Sequence, residues 1–306
     1  MKSSFLFQVG GYPAWLALKD LPTNEELSCR RCSKALVFLC QLYAPFHDKE
    51  NCFHRTVFVF VCRDPDCCQE NDASNIRVFR SQLPRENEFY PPEPSKVKSY
   101  EKFWFIYLSG DFNNLCRICG ALGPKTCGGC KVARYCSKDH QALDWKAGHK
   151  EDFHKILLLQ HITLSDTYSF YNAPFCFPDS DTENDLIDMA TKETDKQFQK
   201  FRMRLKDYPD QVVRYDRGRE PLWVSSSNKP VDVPPCPFCG QPRQFEFQVM
   251  PQLLVHLKVD NSGKSIDWGT VLIYSCKESC QSNRNYIEEV AYKQDYSDKS
   301  QQLTDT

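Results

Sequence analysis

Between Cys116 and His154 the chain places eight side chains able to ligate a soft divalent metal, spaced C-x2-C-x7-C-x2-C-x5-C-x3-H-x8-H-x4-H. Zinc takes thiolate and imidazole donors in closed tetrahedral sites, and each C-x2-C pair supplies two donors from one tight turn. Eight donors therefore make two structural sites, with no coordination position left for a catalytic water except at the His149 site should His154 be solvated and a water complete it. Two further sets lie outside this stretch. Cys29-x2-Cys32 is followed by Cys62-x4-Cys67, and Cys236-x2-Cys239 by Cys276-x3-Cys280. Each set, with strands between its pairs, reads as a zinc ribbon holding one ion. Cys68 competes with Cys67 for the last place in the first ribbon, because spacing alone does not separate adjacent cysteines.

The elements that must position these donors are strands. Ala35 to Tyr43 is mostly apolar and reads as a buried strand, Pro45 to Arg55 as a polar loop, and Thr56 to Val61 as a second strand. Residues 221 to 280 repeat the unit. Pro221-Leu-Trp223-Val matches Pro13-Ala-Trp15-Leu, Phe38 and Phe245 each lie nine residues beyond the first Cys, and Gln41 and Gln248 each lie twelve beyond. The strand Thr270 to Ser275 then runs into the second Cys pair. A duplicated ribbon unit at the two ends of the chain, with the central Cys/His stretch inserted between, is the reading. Neither hairpin of about 60 residues buries much surface alone, so the halves are expected to pair into one β-rich body.

The fold class is thus mostly β with small α parts. The units run 1–95, the first half; 96–115, a connector; 116–155, the inserted finger; 156–195, an acidic linker; 196–293, the second half; and 294–306, a polar tail. Phe7 to Leu18, with Gly10-Gly11, forms a turn into the anchoring Trp15. Pro91-Pro92-Glu93-Pro94 marks an extended linker before an aromatic strand or short helix over Tyr100 to Leu108. Pro178 to Asp195 is acidic and reads as a loop. Phe198, Phe201 and Leu205 stand at helical spacing, which predicts a docked helix over Glu193 to Leu205, ending before Pro209.

Composition narrows the function classes. The 306 residues are 41% hydrophobic with 17 Cys and a net charge of −1. The amino-terminal apolar run is five residues, without signal-peptide anatomy, and no stretch approaches the roughly 18 apolar residues of a membrane span. The cysteines are read as reduced thiols of the cytosol or nucleus, many on metal. Near-neutral charge gives no global drive toward nucleic acid, and no membrane partner is expected. No P-loop or glycine-rich cofactor loop occurs, so the chain reads as a binding protein and not an enzyme. His47, His54, His161 and His256 read as packing or surface histidines, and Cys40, Cys52, Cys68 and Cys176 as small buried or surface thiols.

The central spacing resembles a MYND finger. By that resemblance Cys116, Cys119, Cys136 and His140 hold one zinc, and Cys127, Cys130, His149 and one further residue hold the other. The family's last ligand is usually a Cys four residues after the final His, where this chain has Phe153. His154 can take the place only if the helix is irregular, because five residues is about 140° around a regular helix and four is about 40°. The resemblance also implies proline-rich peptide contact at Gln141 and Trp145, one helical turn apart.

The chain as a whole resembles the programmed cell death protein 2 family. The carriers are Gly10-Gly-Tyr-Pro-Ala-Trp-Leu, the run VFRSQLPRENE from Val78, Gly123-Pro-Lys-Thr-Cys, Arg214-Tyr-Asp-Arg-Gly and Phe245-Glu-Phe-Gln-Val-Met-Pro-Gln-Leu. The resemblance implies a protein of cytoplasm and nucleus that escorts a newly made ribosomal protein of the small subunit, the counterpart of the bacterial fifth. The alternative it leaves is a nuclear adaptor or transcription cofactor, linked to apoptosis or proliferation control, that recruits proline-rich partners through the finger. Asp179, Asp181, Glu183, Asp185 and Asp188 offer charge for a basic client, and aromatic strands offer edges to which it could be added.

Overall fold

The computed structural model describes residues 6–90, 92, 113–150, 195–257 and 265–296. Ten strands account for most of the regular structure, in agreement with a mostly β class. The first half contributes β1 (Leu6–Val9), β2 (Val37–Tyr43), β3 (His54–Val61) and β4 (Ile76–Leu83). The finger contributes β5 (Lys125–Thr126), β6 (Arg134–Tyr135) and α1 (Lys138–Asp144), which runs into a wide π-type turn over Trp145–His149. The second half contributes α2 (Lys196–Asp207), β7 (Val213–Tyr215), β8 (Arg243–Val249), α3 (Gln252–Leu257), β9 (Thr270–Cys276) and β10 (Tyr286–Gln294).

Eight strands form one antiparallel sheet in the order β1-β2-β3-β4-β10-β9-β8-β7. Each half is a four-stranded meander, and the halves join where Val78–Ser81 of β4 pairs with Tyr286–Glu289 of β10. The repeat read from the sequence has a structural counterpart down to its irregularities. Register slips between Phe38 and Cys40 on β2, and between Phe245 and Phe247 on β8, the same offset from each first cysteine. Gln41 Oε1 accepts the Ala14 N–H at 2.8 Å, and Gln248 Oε1 accepts the Leu222 N–H at 2.8 Å. In each copy, a glutamine, half-buried at Gln41 and buried at Gln248, fastens the segment carrying the tryptophan across its sheet.

Both faces of the sheet are covered, which is why β3 and β9 read as nearly continuous apolar runs. Val57, Val59, Val78, Phe247, Val271 and Ile273 share one central core between the halves. The alternate residues point outward. In the first half Phe38, Phe58, Phe60 and Phe79 pack with Trp15, whose ring lies 5.2 Å from Phe58 and from Tyr286. In the second half Phe245, Leu272 and Tyr274 pack with Trp223.

Two buried ion pairs cross between the halves. Arg55 on β3 makes a bidentate pair with Glu246 on β8, including 2.6 Å from Nη2 to Oε2, and both side chains are fully buried. Arg80 Nε on β4 lies 2.7 Å from Glu289 on β10, which also takes Arg243 Nε at 2.8 Å. The contact from β3 to β8, across three intervening strands, requires the sheet to curl. It also corrects the reading of Pro45 to Arg55 as a polar loop. β3 begins at His54, and Arg55 is inside because its charge is met by a carboxylate some 190 residues away in sequence. The junction strands β4 and β10 carry no Cys landmark, and periodicity had not singled them out. α2 starts three residues later than the spacing predicts, at the Asp195 cap, whose carboxylate accepts the Gln197 N–H at 2.8 Å. Tyr100–Leu108, the acidic run before Asp195, and Cys176 lie outside the described residues.

Candidate metal centres and the finger seat

Among the described residues, four clusters bring Cys and His ligand atoms within 4.8 Å of one another. They are Cys29, Cys32, Cys62 and Cys67; Cys116, Cys119, Cys136 and His140; Cys127, Cys130 and His149; and Cys236, Cys239, Cys276 and Cys280. The pairing in the finger is interleaved, so two clusters brace the same short hairpin and helix. His154 lies outside the described residues.

The donor sets suit a tetrahedral ion. Sulfur pairs stand 3.7 Å apart for Cys32 and Cys62, 3.6 Å for Cys119 and Cys136, and 3.5 Å for Cys236 and Cys280. Zn–S bonds near 2.3 Å imply a tetrahedral edge of roughly 3.8 Å, whereas a disulfide would need about 2 Å. His140 turns Nδ1 toward its cluster, 3.6 Å from Cys116 Sγ and 3.1 Å from Cys136 Sγ. His149 turns Nε2 instead, 3.5 Å from Cys130 Sγ.

The four C-x2-C turns close alike. The residue four positions after the first cysteine donates its N–H to that cysteine's carbonyl: Ser33 to Cys29 at 2.9 Å, Gly120 to Cys116 at 2.9 Å, Lys131 to Cys127 at 3.0 Å and Gly240 to Cys236 at 2.9 Å. All four have left-handed backbones, with φ of 59°, 67°, 56° and 70°. This geometry favours glycine, which only two of the positions have. The reversal aims both thiols of each pair the same way.

Proton affinities within the clusters conflict, as converging thiols must. Hydrogen bonds from Cys119 and Cys136 pull Cys116 far down, while the bond to Cys116 pushes Cys119 far up. Bonds to the Cys116 and Cys136 thiolates raise His140 to about 9, against the effect of burial. Burial raises Cys127, but the Cys130 and Gly129 N–H groups, with smaller help from the Cys130 thiol and the Gln141 side chain, bring it below the ordinary value. A divalent cation would resolve these conflicts by displacing the shared protons.

The second finger cluster has three described donors. Gly148, at φ 135°, breaks the helix within Trp145–His149 and turns the buried His149 toward Cys130. Around it, the Tyr135 hydroxyl donates to Asp144 at 2.5 Å and Arg117 Nε lies 3.3 Å from the same carboxylate. The irregularity precedes His149, and Lys150 is again helical. Gln141 and Trp145 remain one turn apart, with the Trp145 N–H bonded to the Gln141 carbonyl. Trp145 is 39% exposed, with its ring 5.9 Å from His149, and Gln141 is half-buried.

Of the two adjacent cysteines, Cys67 joins the first ribbon cluster. Cys68 faces away from it, accepting the Asp267 N–H at 3.3 Å and lying 3.4 Å from Lys293 Nζ, so it ties the halves together. Cys40 and Cys52 are buried.

The finger is seated on the first half by the Gly10–Leu16 run. Trp15 Nε1 donates to the Gly120 carbonyl at 2.8 Å, and the Tyr12 hydroxyl donates to the Arg117 carbonyl. A Cβ at Gly120 would stand 2.9 Å from Pro13 Cδ, so this glycine serves both the left-handed turn and the close approach. Sequence reading identified Trp15 as an anchor but not what it holds. Glycine four residues after the first cysteine, at Gly120 and Gly240, was a usable signal for two of the four turns.

Fold and sites together define a duplicated β scaffold with clustered Cys and His donors suited to zinc and an inserted MYND finger. The MYND model matches residues 116–152, and the N- and C-terminal domain models of programmed cell death protein 2 match residues 1–97 and 195–298. Programmed cell death protein 2 of Mus musculus is 42% identical over 96% of this chain and 92% of its own length. The chain belongs to the programmed cell death protein 2 family. The human programmed cell death protein 2-like protein is 26% identical over 89% of this chain and 85% of its own. A Schizosaccharomyces pombe protein named probable 20S rRNA accumulation protein 4 is 29% identical over 32% of this chain and 27% of its own. No solved structure matches.

Proposed function

We propose that this protein is a zinc-dependent escort for a newly made ribosomal protein of the small subunit, the counterpart of the bacterial fifth, working in cytoplasm and nucleus. The observation that carries the reading is the partial match to a relative named for 20S rRNA accumulation, a name that points to ribosomal RNA metabolism. The chemistry of the sites supports a binding role. Clusters of four protein donors hold an ion as a structural pin, leaving it no open position for a substrate. On this reading one zinc sits in each ribbon and two in the finger, the second finger ion taking Cys127, Cys130, His149 and His154.

A tagged full-length chain at native abundance, compared with a deletion of residues 116 to 154, tests the proposal. The expected result is one abundant basic small-subunit ribosomal protein, retained after the deletion, with 20S rRNA accumulating when the whole protein is depleted. Absence of any such protein from a folded, zinc-loaded sample overturns it.

A second reading has its own observation. Val132, Leu143 and Trp145 are exposed apolar side chains on the finger, a surface on which proline-rich partners of an adaptor could stack. If that surface carries the main function, Trp145→Ala abolishes the principal interactions with both ribbons intact. If the escort reading holds, the ribosomal protein stays bound to Trp145→Ala.

A further inference from the structure

Asp144 ends α1 with its side chain buried, and three groups converge on its Oδ2. The Tyr135 hydroxyl donates to it at 2.5 Å, Arg117 Nε lies 3.3 Å away, and His149 Nδ1 lies 3.9 Å away. The backbone accounts for the third approach. On a regular helix a residue five positions on stands about 140° around the axis. The π-type turn over Trp145–His149, with Gly148 at φ 135°, widens the coil and brings the His149 ring back beside Asp144. One nitrogen of the ring then lies near a carboxylate. The other, Nε2, faces the second finger cluster, 3.5 Å from Cys130 Sγ.

The two nitrogens share one proton. A neutral imidazole that offers Nε2 to a metal carries its hydrogen on Nδ1 and must donate it there. His149 is buried, where a donor without an acceptor is costly. Arg117 Nη1 stands nearer to Nδ1, at 3.2 Å, but a guanidinium has donors only and cannot take that hydrogen bond. The Asp144 carboxylate can. Its Oδ2, at 3.9 Å, is about 1 Å beyond a charge-assisted hydrogen bond.

We infer that Asp144 is the positioning residue of the second finger site: it accepts the Nδ1 hydrogen bond of His149 and so holds Nε2 toward Cys127 and Cys130 with its lone pair available. A carboxylate behind a histidine ligand fixes the tautomer and ring orientation and raises the basicity of the ligating nitrogen. Because Arg117 lies in the turn between Cys116 and Cys119, the same carboxylate also links the second site to the first. The inference rests on the zinc reading of the second site and gives a role to a side chain outside the ligand set.

The test uses the full-length, zinc-loaded chain with isotope-labelled histidine, so that long-range proton–nitrogen NMR reports the ring nitrogens of His149. Zinc is withdrawn by a graded chelator from wild type, Asp144→Leu, Asp144→Asn and Tyr135→Phe. The expected result in wild type is Nδ1–H with Nε2 on the metal, and a ring proton slow to exchange with water. Asp144→Leu should exchange that proton faster and hold zinc at His149 about 10- to 100-fold more weakly, the scale of losing an outer partner of a ligand. Asp144→Asn keeps a neutral acceptor and should fall between. Tyr135→Phe removes the tyrosine bond to the carboxylate and should stay close to wild type. Equal ring-proton exchange in wild type and Asp144→Leu overturns the role and leaves the zinc reading standing. A zinc loss in Tyr135→Phe as large as in Asp144→Leu does the same, because Asp144 would then act through packing of the tyrosine. Should Asp144→Leu fail to fold, Asp144→Asn is judged by the same two readouts. No ion at His149 in wild type overturns both.

Discussion

At the scale of single residues, the turns and the buried charges set the energetics of the sites. Ser33 and Lys131 occupy left-handed positions that Gly120 and Gly240 fill without a Cβ. Replacing Lys131 with glycine should therefore relieve strain and stabilise the finger by up to about 1 kcal/mol, less the entropy glycine gives the unfolded chain. A rise in the chelator concentration needed to strip the finger checks this. Arg55 and Glu246 make the opposite case. Burial raises the Glu246 carboxyl, yet the charges of Arg55 and Arg217 and the bond from Ser275 bring it below the usual value. Arg55→Met leaves that carboxylate buried with only part of its compensation, and should cost about 3–5 kcal/mol in urea unfolding. The double variant with Glu246→Leu should cost much less, because no orphan charge remains.

At the scale of elements, two attachments hold α2 and the finger to the body. Asp195 caps α2 through Gln197 and also accepts from the Ser225 hydroxyl at 3.1 Å and the Ser226 N–H at 2.8 Å, fastening the helix to the segment after Trp223. Burial raises this carboxyl, but the Ser226 and Gln197 N–H groups dominate and lower it to about 2. A depressed carboxyl stabilises the fold above its unfolded pKa near 4, and that contribution is lost as pH falls to about 2. Asp195→Ala should loosen α2 by about 1 kcal/mol at neutral pH, and faster amide exchange in 196–207 there reports it. The finger seat depends on Trp15. Trp15→Phe keeps most of the packing and loses the bond to Gly120, at about 1 kcal/mol, whereas Trp15→Ala also opens a cavity, for about 3–5 kcal/mol in all. Comparing their thermal midpoints separates bond from bulk.

At the scale of the whole molecule, neither half stands alone. Their inner faces make one core, and Arg55, Arg80 and Cys68 of the first half each have a partner in the second. Structural zinc in finger peptides has apparent binding free energies of about 10–16 kcal/mol, more than the net stability of most domains. Chelation should therefore unfold the body as well as the finger, seen as loss of β circular dichroism. Zinc readdition near pH 7 should release protons, because the cysteine thiols, mostly protonated in the unfolded chain at that pH, must lose them before they bind.

The donors themselves were legible in the chain because ligand spacing is local. A C-x2-C turn is a four-residue object, and a duplicated unit repeats its offsets, so Gln41 and Gln248 could be matched before their shared role was visible. β2, β3 and β9 were legible for a related reason, being apolar runs beside cysteine landmarks. The rest depends on groups brought together from distant parts of the chain. The spacing around Cys67 and Cys68 is silent on which thiol turns inward, and Asp267 and Lys293 draw the second one away. Arg55 reads as surface until Glu246 crosses the curled sheet to meet it. β4 and β10 are recognised as the seam only when their backbones pair, because their mixed composition reflects ion pairs made across that seam. Even the finger's place on the body comes from a carbonyl of Gly120 meeting the indole of Trp15, a contact spanning 105 residues that no local pattern encodes.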